Sequence, residues 1–233
     1  MSPTTTSHED CDDFRALLAH VPVDEIAKAE LSAMMGAEGR FYHGVGHLAL
    51  LWRRHRLYAA DAGLTAPDLE TLIACAIAYH DCVLVSGRRD NEERSAETWM
   101  RASAGTPLTD EDRNWVADTI RATSDHLADP EASETSLAEI APQRPTTLAR
   151  LRARIWVLDL DLTPLGESAA DFDANTDRLR REVPHLAESE WDAGRLAFLR
   201  RFSQAPQIYR SPTLAAIFEA QARANIARQL AIG

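Results

Sequence analysis

Ala78-Tyr79-His80-Asp81 closes an apolar run in which Leu69, Leu72, Ile73, Ala76 and Ile77 recur at helical spacing. Continued at about 100° per residue, that stripe carries His80 inward and leaves Asp81 about 100° further round, at its edge. Two groups that are costly to bury without partners therefore enter the interior together, and a metal ion would satisfy both. Taken alone, the doublet also fits a core histidine with an ordinary partner beside a surface aspartate. Three other stretches supply matching chemistry. His47 shares a helical face with Leu50, Leu51 and Tyr58, His126 ends the Thr123-Ser124-Asp125 run, and Asp159 and Asp161 lie in a helical segment further on. Imidazoles mixed with carboxylates suit a divalent ion such as Mn²⁺, Fe²⁺, Co²⁺, Ni²⁺ or Zn²⁺ better than a thiolate metal or Ca²⁺.

Asp159 and Asp161 cannot both face that ion from a regular helix. With Leu151, Ile155, Leu158, Leu162 and Leu165 as the core stripe, each aspartate lies about 80° to one side of it, in opposite directions. Spacing alone does not choose between them.

The elements carrying these residues read as helices throughout. Phe14, Leu17 and Leu18 begin one that ends near Val21-Pro22, and a second runs from Val23 to Met35. After Gly36 to Gly39, Arg40 to His47 leads into a third. Thr65-Ala66-Pro67-Asp68 reads as a helix start, with Thr65 as cap, and opens the helix that delivers His80. Asn91 starts the next with an acidic first turn, and Thr109 caps another that runs to His126. Leu127 to Pro145 is the one long irregular stretch, with a short helix expected at Ser136 to Ile140. A helix from Thr147 closes at Gly166, and further helices lie near Ser168 to Arg181, Ser189 to Phe202 and Pro212 to Leu230. Period-two alternation is absent, so the expected architecture is a single all-α domain, a helical bundle, preceded by a polar tail over residues 1–8.

Composition narrows the function. The 233 residues, 45% hydrophobic and 26% charged, are ordinary for a globular domain. A net charge of −11 disfavours nucleic-acid duplexes and anionic lipid as partners. Cys11, Cys75 and Cys82, without CxxC spacing, fit reduced thiols in a cytoplasmic protein. No signal peptide or membrane span is evident.

The order His47, His80-Asp81 and a downstream helical aspartate resembles the HD superfamily of metal-dependent phosphohydrolases, all-helical proteins named for that doublet. The flanks narrow the likeness to a bacterial branch of predicted HD phosphohydrolases of unassigned substrate. They are Arg40-Phe41-Tyr42-His43, Tyr79, Asn91-Glu92 with Ser95-Ala96, Leu158 to Leu162 with Leu165-Gly166, Leu179 to Glu182, Gly194-Arg195, Phe198-Leu199, Ile208-Tyr209, Glu219, Ala222-Arg223 and Asn225. The resemblance spans Arg40 to Leu230.

It implies His47, His80, Asp81 and Asp161 as metal ligands. It sets His43 and His126 near the site on the substrate side and Glu92 as a water-orienting base. Arg40 and Arg195 are the positive groups offered to a substrate phosphate. Dinuclear HD enzymes place two further histidines between the doublet and the last aspartate, whereas this chain has only His126 there, which implies one metal ion. The implied reaction is hydrolysis of a small phosphoester, a nucleotide by analogy, with Asp81 or Glu92 taking the proton from a metal-bound water. The rival readings are a metal- or nucleotide-binding module without turnover and an HD-type di-iron oxygenase, which the shortage of histidines disfavours. An all-helical chain with exposed hydrophobes can also form a homodimer.

Overall fold

The computed structural model describes residues 7–127 and 145–232. Within them the chain forms ten α-helices and no strand. The tail before Ser7, and the short helix expected at Ser136 to Ile140, lie outside the described residues. Helix α1 (His8–Ala19) begins a turn before its apolar pattern does, because Ser7 and Asp10 form a reciprocal capping box that hydrophobic periodicity does not register. Helix α2 (Glu25–Met35) is capped by Asp24, and α3 spans Val45–Tyr58.

Helix α4 (Pro67–Tyr79) departs from expectation at its first residue. Its N-cap is Ala66, not Thr65, and no side chain caps it; the start rests on Pro67 in the first turn, where the missing N–H costs nothing. From Ile73 to Ala78 every residue is fully buried. A helix apolar all round must be enclosed, and α4 touches α1, α3, α5 (Asn91–Ala102), α6 (Asp110–Ala122) and α7 (Pro145–Leu162). It is the axis of the bundle. Thr109 and Asp112 cap α6 reciprocally, and a 3-10 turn, Thr123–Asp125, follows it and presents His126.

The C-terminal third fixes the end of α7. A 3-10 turn, Thr163–Gly166, follows that helix, and α8 (Ala169–Glu182), α9 (Glu188–Gln204) and α10 (Pro212–Ile232) complete the fold. Carbonyls left without intrahelical partners here find other donors: Tyr209 Oη–H donates to Leu162 O (2.9 Å), and Asn225 Nδ2–H donates to Leu165 O (2.9 Å) and Glu167 O (2.8 Å). Arg54 of α3 reaches across to donate to Thr163 Oγ1 (2.6 Å) and Glu167 Oε1 (2.5 Å), its guanidinium lying over the Phe218 ring. Gly166 lets α10 approach the turn, since a Cβ there would lie 2.7 Å from both Phe218 Cβ and Phe218 O.

Gly166→Ala is therefore expected to destabilise the chain by about 1–3 kcal/mol, the cost of forcing packed atoms apart. Urea unfolding measures it. An unchanged midpoint would mean that α10 gives way at no cost.

Candidate metal centre

Four chain segments end at one place. His47 is the third residue of α3, His80 and Asp81 follow the last turn of α4, His126 follows the turn after α6, and Asp161 is the penultimate residue of α7. His47 and His80 are buried, at 4% and 2% exposure. One ligand atom from each of His47, His80 and Asp81 lies within 4.8 Å of the others. Asp81 Oδ2 stands 3.1 Å from His80 Nε2 and 3.8 Å from His47 Nε2. Asp161 joins them from α7, with Oδ1 3.0 Å from His47 Nε2 and 3.5 Å from His80 Nε2, and its Oδ2 lies 2.7 Å from His126 Nε2.

These contacts gather nitrogen and carboxylate oxygen atoms around one space that a proton or a metal ion can occupy. His80 Nδ1 lies 2.9 Å from Ile77 O, and a carbonyl only accepts, so Nδ1 carries the proton. In the neutral ring Nε2 is then a bare lone pair, aimed at two carboxylates and at His47 Nε2, 3.3 Å away. With no proton on the cluster side of either ring, these atoms would repel one another. Burial works against a charged imidazole at His80, but the Asp81 and Asp161 carboxylates outweigh it and raise its pKa well above the usual histidine range. Burial likewise opposes ionisation of Asp161, yet the His80 charge and the contacts with His126 and His47 hold its carboxyl well below the usual range. Asp81 is lowered as well, chiefly by His80 against its own burial. Two nitrogens and two carboxylates form a donor set that fits a divalent transition ion, whose charge equals theirs.

The two aspartates of α7 part company as helix phase requires. Asp159 is fully buried on the other flank, where Ser211 N–H donates to its Oδ2 (2.6 Å) and Arg210 Nε lies 3.7 Å from Oδ1. Burial pushes its carboxyl up to about 6 against those partners.

His43 lies beside the cluster, its Nδ1 2.6 Å from Glu182 Oε2. The other oxygen of Glu182 accepts the backbone N–H groups of Phe41, Tyr42 and His43 at 2.7, 2.7 and 2.9 Å. The sequence reading assigned Glu182 no role, although it stands in one of the matched motifs. Its signal was weak because an acid in a helix's last turn opposes the macrodipole and reads as accidental.

Arg40 serves the backbone instead of facing a substrate phosphate. Its guanidinium donates to His43 O (2.6 Å), Asp81 O (2.7 Å) and Cys82 O (2.7 Å), tying the His80-Asp81 turn to the loop before α3. Glu92 is half-buried in the first turn of α5, and among the described residues no hydrogen bond or ion pair links it to the cluster. A cavity of about 480 Å³ opens over the centre, lined by Asp161, His126, His43 and Glu182 and, further out, by Arg195. A second cavity, about 1010 Å³, shares Tyr42 and Asn175 with the first but meets the cluster only at His47.

Arg40→Met should lower stability by at least about 2 kcal/mol, since hydrogen bonds from a charged group contribute about 1.5–3 kcal/mol each and three carbonyls lose theirs. Thermal unfolding tests it, and an unchanged midpoint would return Arg40 to the role of a substrate contact.

No known family profile, curated protein or solved structure matches the chain.

Proposed function

We propose that the chain is a metal-dependent phosphohydrolase of the HD type that cleaves a small phosphoester. The observation that carries this reading is the meeting of His47, His80, Asp81 and Asp161, from three helices, with Asp161 also lining a cavity of substrate size. These four side chains would hold one divalent transition ion. When bound, the ion supplies positive charge for a phosphoryl oxygen and acidifies a water.

The remaining steps fall to the chain's own groups. Asp161 Oδ2 keeps His126 turned into the cavity, and Asp81, whose Oδ2 lies 3.1 Å from His80 Nε2, would accept a proton from the attacking water. Glu182 fixes His43 through Nδ1, while Nε2 makes no hydrogen bond among the described residues. His43 therefore holds a proton for the departing oxygen. Overall, water adds across the P–O bond, giving inorganic phosphate and an alcohol. Glu92, without a link to the cluster, has no part in this scheme.

Metal titration and turnover of a general phosphomonoester, followed together, test the reading. Asp161→Asn should lower metal affinity at least about tenfold, the loss typical of a disturbed coordination shell, and abolish turnover. Asp159→Asn keeps an acceptor for Ser211 and should leave metal affinity within about twofold. Metal bound tightly with no turnover on any phosphoester would favour a binding module, and the reverse ranking of the two variants would move the ligand to Asp159.

A further inference from the structure

The cavity above the centre is more selective than a general phosphoester site. Its walls are formed largely by Leu165, Phe172, Leu179, Trp191 and Phe198. Two side-chain amides and one hydroxyl of the wall are already engaged within the fold. Asn91 accepts from Val85 N–H (3.0 Å) and donates to Val85 O (3.1 Å). Asn175 donates to Glu167 Oε2 (2.8 Å) and accepts from Arg178 (2.7 Å), and Thr176 donates to Phe172 O (3.0 Å).

Charge is equally restricted. Among the described residues Arg195 is the one Lys or Arg side chain in this wall, and its Nη1 already donates to Gln229 (2.7 Å). Glu182 lines the inner end, its Oε2 2.6 Å from His43 Nδ1. Phosphates reaching outward beyond the centre would meet a single, partly engaged cation, Arg195. A nucleobase would set its polar edge against a mostly apolar wall, and each edge atom left without a partner costs about 1–3 kcal/mol. An apolar body meets aromatic and aliphatic walls and gains about 25 cal/mol for each Å² removed from water.

We propose that the cavity holds the uncharged, apolar body of a phosphomonoester, an aryl group in size and shape, with its phosphate directed to the Asp161 and His126 end. The phosphate half of this assignment rests on the hydrolase reading; the apolar half rests on the walls alone.

Two measurements keep the halves separate. The first is titration of the metal-free chain with 1-naphthol, followed by calorimetry. Saturable binding is expected, weakened at least about tenfold by Phe198→Asp, which sets a charge against the apolar ligand. Phe198 is 45% exposed, so the charge is compatible with folding, and an unchanged circular dichroism spectrum and unfolding midpoint verify it. Leu179→Asp, judged by the same controls, is the second variant. The other measurement compares kcat/KM of the metal-loaded chain for 1-naphthyl phosphate, AMP and ATP, with the naphthyl ester expected to lead by at least about tenfold. Naphthol binding without naphthyl phosphate hydrolysis would support the cavity assignment and remove the hydrolase reading. Hydrolysis that favours AMP or ATP, or absence of naphthol binding, would overturn the cavity assignment whatever the fate of the hydrolase reading.

Discussion

Two buried imidazole nitrogens 3.3 Å apart, flanked by two ionised carboxylates, are held together by positive charge on the cluster side, a proton or a metal ion. The proton on His80 Nδ1 is committed to Ile77 O, so relief has to come from the cluster side of the ring. Much of the surrounding structure serves to hold this arrangement. Helix α4 is buried from Leu72 to Tyr79, so that His80 and Asp81 emerge at a fixed point. Arg40 locks the turn after it, and Tyr209 and Asn225 satisfy the carbonyls at the end of α7, which sets the position of Asp161. The carbonyl ends of α4 and α7 both terminate at the cluster and add partial negative charge to it.

His55 shows what a core histidine looks like in the same helix as His47. It is 1% exposed, stacks on Trp52, and its Nδ1 accepts the Trp156 indole N–H (3.1 Å); burial pushes its pKa down to about 4. Burial, aided by His20, outweighs the Glu70 carboxylate 3.8 Å from its Nε2 and makes it a neutral packing group. His47 and His80 are as deeply buried, but carboxylates surround them and drive His80 in the opposite direction. Burial alone does not separate the two kinds; the neighbours brought by α4 and α7 do.

The all-helical architecture was legible because core stripes at helical spacing recur in nearly every segment. The same spacing turned His47 and His80 inward and placed Asp159 and Asp161 on opposite flanks of one helix. Capping was less legible. The start of α1 depends on a polar exchange between Ser7 and Asp10, and at α4 a proline outweighed the threonine that spacing favoured as cap. Least legible were contacts made through the backbone across long separations. Arg40 donates to carbonyls 41 and 42 residues away, and Glu182 accepts N–H groups about 140 residues before it. Backbone atoms carry no sequence signal, so a cationic and an anionic side chain that hold the site's loops in place resemble, from the sequence, groups available to substrate.

The central claim is that this convergence of donors is built around one ion. Anomalous diffraction from crystals of the chain loaded with Mn²⁺ or Zn²⁺ tests it most directly. The account predicts a single strong peak per chain, bonded to His47 Nε2, His80 Nε2 and the carboxylates of Asp81 and Asp161. A peak at another place, or none here at saturating metal, with His80 and Asp161 in direct contact instead, would contradict it.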